Sequence, residues 1–124
     1  MTTIRAFIVE DNRLVASKLV EALSDIATIR VVATAGDEAT ATAWLTLHHG
    51  GCELIIVDIF LATGSGLGVI RAAKEMGAAG TLVVLSNFAT PEMRARCLAL
   101  GATRVFDKST EVDELFGFCA GLAA

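Results

Sequence analysis

The sequence lacks the features that mark nucleic-acid-binding, exported or membrane-embedded proteins. Its ten lysine and arginine residues are scattered and are outnumbered by fourteen acidic residues, which gives a formal net charge of −4. Because nucleic-acid phosphates are neutralised by clustered basic side chains, we expect no direct binding of nucleic acid. The first apolar run, residues 6–9, is too short for a secretory signal, and no run approaches the roughly 18 apolar residues of a membrane span.

Closely paired cysteines are also absent. Cys52, Cys97 and Cys119 are odd in number and widely spaced, and none belongs to a CxxC pair. Disulfide scaffolds and zinc sites use closer, paired spacings, so we expect three reduced thiols that are partly buried as small hydrophobic side chains. Reduced thiols, in a sequence with neither a secretory signal nor a membrane span, predict a cytoplasmic protein with no membrane partner.

Apolar residues, by contrast, are plentiful. Hydrophobic residues make up 54% of the chain and charged residues 19%, which excludes a disordered protein. No repeat, low-complexity tract or linker divides the sequence. Its 124 residues therefore predict one compact domain that spans residues 1–124.

Short apolar runs alternate with longer amphipathic stretches along this domain. The apolar runs predict five strands, over residues 6–9, 29–33, 54–57, 82–85 and 104–106. The amphipathic stretches predict five helices, over residues 12–25, 37–50, 66–76, 90–101 and 111–122. Asp37 and Thr90 are expected to cap helices, with Pro91 at a first helical position and Gly77 as a stop. Continuous apolar strands are typical of a parallel sheet buried on both faces, so the fold class is a doubly wound α/β domain.

Polar residues follow four of the five predicted strands. Glu10 and Asp11 follow the first, Asp58 the third and Ser86 the fourth, while Lys108 comes shortly after the fifth. The carboxyl ends of parallel strands form the ligand-binding edge of such sheets. Three carboxylates gathered there would repel one another without a cation, and oxygen-only ligands suit the hard ion Mg²⁺.

A carboxylate beside Mg²⁺, with an ammonium and a hydroxyl group nearby, suits phosphoryl transfer. Asp58 would attack the phosphorus as nucleophile, while Mg²⁺ and Lys108 offset the charge on the transferred group. Each residue alone has an ordinary explanation as a strand-end or surface polar group. Their ordered placement at four strand ends favours the functional interpretation.

These motifs resemble those of the receiver domains of two-component response regulators, and the similarity covers nearly the whole chain. The family has an acidic pair after the first strand, a phosphoacceptor Asp after the third, Ser or Thr after the fourth and Lys after the fifth. This sequence has IVEDN, LIIVDIF, VVLSNF and VFDKS at those places. The resemblance implies a flavodoxin-like sheet of five parallel strands in the order 2-1-3-4-5.

The resemblance also implies a magnesium site. Asp11 and Asp58 would bind the ion directly, Glu10 would act mainly through a bound water, and the backbone carbonyl of Phe60 would complete the protein ligands. Ser86 and Lys108 would contact the phosphoryl oxygens.

The implied function is a phosphoacceptor switch in a phosphorelay. A histidine kinase or a histidine phosphotransfer protein would phosphorylate Asp58, and the signal would pass to a downstream protein through protein contacts. The chain would not be an enzyme beyond its own phosphorylation and slow autodephosphorylation. Two alternatives remain open: an Asp-nucleophile phosphatase or phosphotransferase, and a non-phosphorylated pseudo-receiver that only binds partners. The dehalogenase-type phosphatases place an acid two residues after the nucleophile, where this chain has Phe60.

The sequence departs from the family pattern at several positions. Val105 replaces an aromatic residue that swings inward on activation, and Phe106 should face the opposite side of the sheet. Phe60 and Phe88, two residues after Asp58 and Ser86, cannot orient a water, which predicts a long-lived phosphorylated state.

Two other segments have ordinary interpretations. The run GSGLG at residues 64–68 has the wrong spacing and place for a dinucleotide-binding loop and predicts a flexible connection into the third helix. Arg94 and Arg96 are expected on a solvated helix face, with recognition of an acidic partner as the alternative.

Overall fold

The computed structural model describes residues 3–48, 51–78 and 80–122, in which five strands alternate with five helices. The strands are β1 (Ile4–Val9), β2 (Ile29–Ala35), β3 (Leu54–Val57), β4 (Thr81–Ser86) and β5 (Arg104–Asp107). The helices are α1 (Arg13–Ser24), α2 (Glu38–Leu47), α3 (Gly66–Met76), α4 (Pro91–Leu100) and α5 (Val112–Gly121). All strand pairs are parallel and the sheet order is β2-β1-β3-β4-β5. The predicted doubly wound α/β fold and strand order are confirmed.

Local capping signals begin and end the helices. The side chain of Asp37 accepts a backbone hydrogen bond in the first turn of α2 at 2.7 Å, and that of Thr90 does the same in α4 at 3.1 Å. Pro91 occupies the start of α4, and Gly77 ends α3 with a φ of 60°. The predicted end of the second helix, residue 50, lies outside the described residues, and α2 ends at Leu47. Within the described residues, no helix is long and apolar enough to cross a membrane.

The sheet separates two hydrophobic layers. One lies under α2, α3 and α4 and contains Phe7 and Val105, while the other lies under α1 and α5 and contains Ile8 and Phe106. The neighbours Val105 and Phe106 therefore face opposite layers, as strand alternation predicted.

Burial on both faces holds for the three central strands but not for the edge strand β2. All four residues of β3 are buried, and so are the last four of β1 and the last five of β4. In β2 only Ile29 and Ala35 are buried. The prediction of two-sided burial is therefore wrong for β2, which lies at an edge of the sheet and pairs with β1 alone.

The three cysteines are buried free thiols. Cys97 and Cys119 are fully buried and Cys52 nearly so, and none is in a disulfide. Burial raises the pKa of the Cys52 and Cys119 thiols to about 11, so both are protonated at neutral pH. The prediction of reduced, buried thiols is confirmed for the structure described.

A stack of three rings anchors α2 to the sheet. The ring of Trp44 lies 4.3 Å from the buried ring of Phe7 in β1 and 4.6 Å from the ring of His48, measured between centroids. Both pairs are nearly parallel, with interplanar angles of 19° and 18°. The stack fixes the rotation of α2, whose first turn faces the carboxyl edge of the sheet.

Candidate functional site

The carboxyl ends of β1, β3, β4 and β5 meet around a cleft of about 260 Å³. Its lining consists of Glu10, Asp11, Asn12, Val15, Asp58, Phe60, Asn87, Phe88 and Lys108. The cleft thus brings together five of the six residues that the sequence placed in the site. The sixth, Ser86, is fully buried at the end of β4, directly before Asn87.

Three carboxylates form a compact acidic cluster in this cleft. One oxygen each of Glu10, Asp11 and Asp58 lies within 4.8 Å of the others. The strand register explains the cluster: Val9 of β1 pairs with Val57 of β3, so the residues that follow leave the sheet side by side. The N–H of Asp58 confirms this alignment by donating to the carbonyl of Val9 at 2.9 Å. Glu10 and Asp58 are buried, so their mutual repulsion is only weakly screened.

Lys108 supplies the positive charge next to two of these carboxylates. Its Nζ donates to Oε1 of Glu10 at 2.6 Å and to Oδ2 of Asp58 at 2.9 Å. Burial alone would lower the pKa of Lys108, but the hydrogen bonds to the two carboxylates outweigh it and the pKa is raised. Burial raises the pKa of Glu10, and hydrogen bonds from Lys108 and from the N–H of Asn12 oppose the rise only in part. Lys108 therefore stays charged and is the counterion of the cluster.

The cluster has the chemistry of a hard-cation site. Its donors are carboxylate oxygens, which Mg²⁺ prefers, and the ion needs only a few protein ligands because it keeps several waters. Both oxygens of Glu10 already accept hydrogen bonds, from Lys108 and from the N–H of Asn12 at 3.0 Å. Oδ2 of Asp11 accepts the N–H of Ala62 at 2.7 Å.

The hydroxyl of Ser86 lies at the end of β4, next to the lysine segment. Its Oγ accepts the N–H of Phe88 at 3.0 Å, which leaves the hydroxyl proton for another acceptor. The carbonyl of Ser86 accepts the N–H of Lys108 at 2.9 Å. The backbones that carry the hydroxyl and the ammonium are therefore joined directly.

Two phenylalanine rings lie at the mouth of the cleft. Phe60 is 52% exposed and Phe88 is 56% exposed, yet their centroids are 4.6 Å apart with an interplanar angle of 62°. Edge-to-face contact is a favourable geometry for aromatic pairs. The pair therefore links the loops after β3 and β4 across the face of the acidic cluster.

Hydrogen bonds from two other elements hold the loop between β3 and α3. The N–H of Ala62 donates to Asp11, and the N–H of Ser65 donates to Oε1 of Glu38 at 2.8 Å. Phe60 and Ser65 form an isolated antiparallel bridge that closes the loop. Glu38 was not predicted as a site residue, because an acid in the first turn of a helix is already explained by the helix dipole.

Arg94 is only partly exposed and is engaged by other parts of the fold, so the prediction of a solvated side chain is wrong for it. Its guanidinium donates to the carbonyls of Ala89 and Val105, both at 2.9 Å, and to the carboxylate of Glu111. It reaches these acceptors because α4 packs against β5. Arg94 therefore ties the loop after β4 to β5 and to the start of α5, whereas Arg96 is exposed as predicted.

Comparison with protein families and curated proteins identifies relatives over most of the chain. A family model described as the response regulator receiver domain matches residues 6–118. The uncharacterized transcriptional regulatory protein YvfU of Bacillus subtilis (strain 168) is 32% identical over 114 residues, which are 90% of this chain and 55% of that protein. A protein-glutamate methylesterase/protein-glutamine glutaminase of Azospirillum brasilense is 27% identical over 116 residues, 92% of this chain and 29% of that protein. The chain thus spans less than two thirds of either relative.

Solved structures share the same fold. One is the isolated REC domain of RcsB from Salmonella enterica serovar Typhimurium, determined in the presence of the phosphomimetic BeF₃⁻. It superposes on this chain with a TM-score of 0.86 at 19% sequence identity, and the superposition covers 98% of this chain and 89% of the RcsB chain. The signal receiver domain of NarL from Mycobacterium tuberculosis gives 0.82 at 22% identity, with 97% and 98% covered.

Proposed function

The chain belongs to the response regulator receiver domain family, and on that premise we propose that it is a two-component signalling switch that accepts a phosphoryl group on Asp58. The placement of Asp58 carries this proposal. Its carboxylate lies at the end of a central strand, 2.9 Å from the Nζ of Lys108 and beside two further carboxylates. This is the set of groups that an aspartate nucleophile in phosphoryl transfer needs around it.

In the proposed reaction an oxygen of Asp58 attacks the phosphorus of a phosphohistidine in line. The new O–P bond forms as the P–N bond breaks, and the histidine nitrogen keeps the electron pair of that bond. Lys108 would move its hydrogen bond from Oδ2 of Asp58 to a phosphoryl oxygen. The hydroxyl of Ser86 would donate a hydrogen bond to another phosphoryl oxygen, while its Oγ goes on accepting the N–H of Phe88.

Mg²⁺ fits the acidic cluster, and we propose that Asp11, Asp58 and the backbone carbonyl of Phe60 bind it directly. When bound, the ion would offset charge on the transferred phosphoryl oxygens. Glu10 would act through a bound water, since both of its oxygens are engaged. We therefore expect Asp11→Ala to weaken Mg²⁺ binding more than Glu10→Ala does in calorimetric titration. The reverse order would contradict this assignment of ligands.

Intact mass after incubation with a small phosphodonor tests the proposal. The wild-type chain should gain one phosphoryl group when Mg²⁺ is present, and Asp58→Asn should gain none. Asp107→Asn is the matched control, because Asp107 also ends a strand but its carboxylate bonds the N–H of Ser109. Equal labelling of Asp58→Asn and the wild type would show that the acceptor lies elsewhere.

The phosphodonor in this proposal is a histidine kinase or a histidine phosphotransfer protein, and the output is a contact with a downstream protein. The chain would catalyse only its own phosphorylation and slow dephosphorylation. A dehalogenase-type phosphatase finds no support, because the position two residues after Asp58 carries the ring of Phe60. The extent of the domain, residues 1–124, and its location in the cytoplasm stay predictions.

A further inference from the structure

The glycine-rich segment at residues 64–68 packs against the side chain of Glu38 in the first turn of α2. A Cβ atom at Gly64 would lie 2.5 Å from Cβ of Glu38, and one at Gly68 would lie 2.2 Å from its Oε2. Gly64 also has a φ of 80°, which favours glycine. The glycines therefore make room for a carboxylate, which gives this segment defined contacts rather than the expected flexibility.

The carboxylate of Glu38 holds the far end of the loop that follows Asp58. Its Oε1 accepts the N–H of Ser65 at 2.8 Å, and Ser65 forms the bridge with Phe60. At the end of the loop, the N–H of Gly66 donates to the carbonyl of residue 59 at 2.8 Å, and a Cβ at Gly66 would lie 2.0 Å from the carbonyl oxygen of Asp58. The loop is thus closed tightly on itself, and Glu38 fixes it to a different helix.

We propose that Glu38 is a positioning residue that holds Phe60 in place and thereby sets the affinity of the acidic cluster for Mg²⁺. This inference rests on the proposed function in taking Asp11, Asp58 and the carbonyl of Phe60 as ligands. Besides the ring contact with Phe88, two side chains outside the loop accept hydrogen bonds from its backbone, Asp11 and Glu38, and Asp11 is itself one of those ligands. Of these two hydrogen-bonding side chains, Glu38 lies outside the ligand set, and such supporting groups keep the first ligands in the geometry that the ion needs.

Calorimetric titration of the full chain with MgCl₂ tests the inference through substitutions of Glu38. Glu38→Ala should weaken Mg²⁺ binding about tenfold, the lower end of the effect of losing a group that orients a ligand. Glu38→Gln should keep most of the affinity, because its amide oxygen can still accept the N–H of Ser65.

Gly68→Ala probes the same hydrogen bond while Glu38 stays in place. The new methyl group would displace the carboxylate, which is the end of a flexible side chain, so Mg²⁺ affinity should fall about as far as in Glu38→Ala. The melting temperature should stay close to that of the wild type, because alanine favours the α3 helix more than glycine does. Gly117→Ala is the matched control: it lies in α5, where a Cβ meets nothing within 4 Å, and it should leave the affinity unchanged.

The double variant Glu38→Ala/Gly68→Ala separates a shared effect from two unrelated ones. The Mg²⁺ affinity of the double variant should be no lower than that of either single variant, because each substitution removes the same hydrogen bond from Ser65 to Glu38. If Glu38→Ala and Gly68→Ala both bind Mg²⁺ as tightly as the wild type does, the inference is overturned and the proposed function is unaffected. Additive weakening would also overturn it. Absence of Mg²⁺ binding by the wild type would instead contradict the proposed function.

Discussion

Lys108→Met would remove the counterion of the acidic cluster while keeping a side chain of similar length. The side chains of Glu10, Lys108 and Asp58 are 2%, 15% and 11% exposed. Without the ammonium, the carboxylate of Glu10 would keep one hydrogen bond from the residues that the structure describes, the one donated by the N–H of Asn12. Two nearly buried carboxylates would then face each other without a balancing charge.

The expected loss of stability follows from this burial. Breaking a buried ion pair by removing one partner costs about 3–5 kcal/mol, whereas exposed pairs contribute about 0.2–1 kcal/mol. Because the cleft can admit water and a carboxylate can take up a proton, we expect a loss of about 2–3 kcal/mol in the metal-free protein. With roughly 4 °C per kcal/mol for a chain of this length, the melting temperature should fall by about 10 °C.

Urea unfolding with a chelator, repeated with saturating Mg²⁺, measures this effect. The difference between Lys108→Met and the wild type should narrow when Mg²⁺ is added, because the ion supplies positive charge to the same carboxylates. Lys18→Met is the matched control, since Lys18 is exposed on α1. A loss no larger than in the control, or a difference that Mg²⁺ leaves unchanged, would refute the role of Lys108 as the counterion.

Two further predictions concern the phenylalanine rings at the cleft and the ion pair between Arg94 of α4 and Glu111, which directly precedes α5. The double variant Phe60→Asn/Phe88→Glu should lose its phosphoryl group faster than the wild type, by on the order of 10²-fold, because polar side chains can orient the attacking water. Intact mass followed over time in excess Mg²⁺ measures this decay, and an unchanged rate would contradict the prediction. The hydrogen bond from Arg94 lowers the pKa of Glu111, so the contribution of this ion pair to stability is lost as the pH falls through that lowered pKa. The difference in urea midpoint between the wild type and Glu111→Gln should therefore be largest near neutral pH, shrink as the pH falls past the ordinary Glu pKa of about 4.3, and vanish below the lowered pKa of Glu111. A difference that stays constant with pH would contradict the assignment.

The elements of the fold were predictable because their signals are local. The strand at residues 54–57 and the helix at residues 66–76 have the predicted bounds, since a continuous apolar run and a terminal Gly77 mark them in the sequence itself. Asp37 and Thr90 cap their helices through bonds that span three residues. The degree of burial of β2 was not predictable in this way, because it depends on how the strand packs against its neighbours and not on its own apolar run.

The membership of the acidic cluster was also predictable, whereas the partners of its side chains were not. Parallel strands bring their carboxyl ends together, so polar residues at those ends meet whatever the details of packing. The hydrogen bond between Lys108 and Glu10 joins residues 98 positions apart in the sequence. Outside the cluster, the hydrogen bonds of Arg94 with Val105 and of Glu38 with Ser65 likewise join different elements of the fold. Such contacts depend on side-chain rotamers and on the packing of one helix against another, which a local pattern does not contain.

The ring stack on α2 makes the protein a natural optical probe. The chain has one tryptophan and no tyrosine, so its indole fluorescence comes from Trp44 alone. The indole is held between Phe7 and His48, on the helix whose first turn carries Glu38. A shift of α2 would change the overlap of these rings and with it the emission and the aromatic circular dichroism. Movement of this helix can therefore be followed in real time, without an attached dye, as ligands reach the cleft.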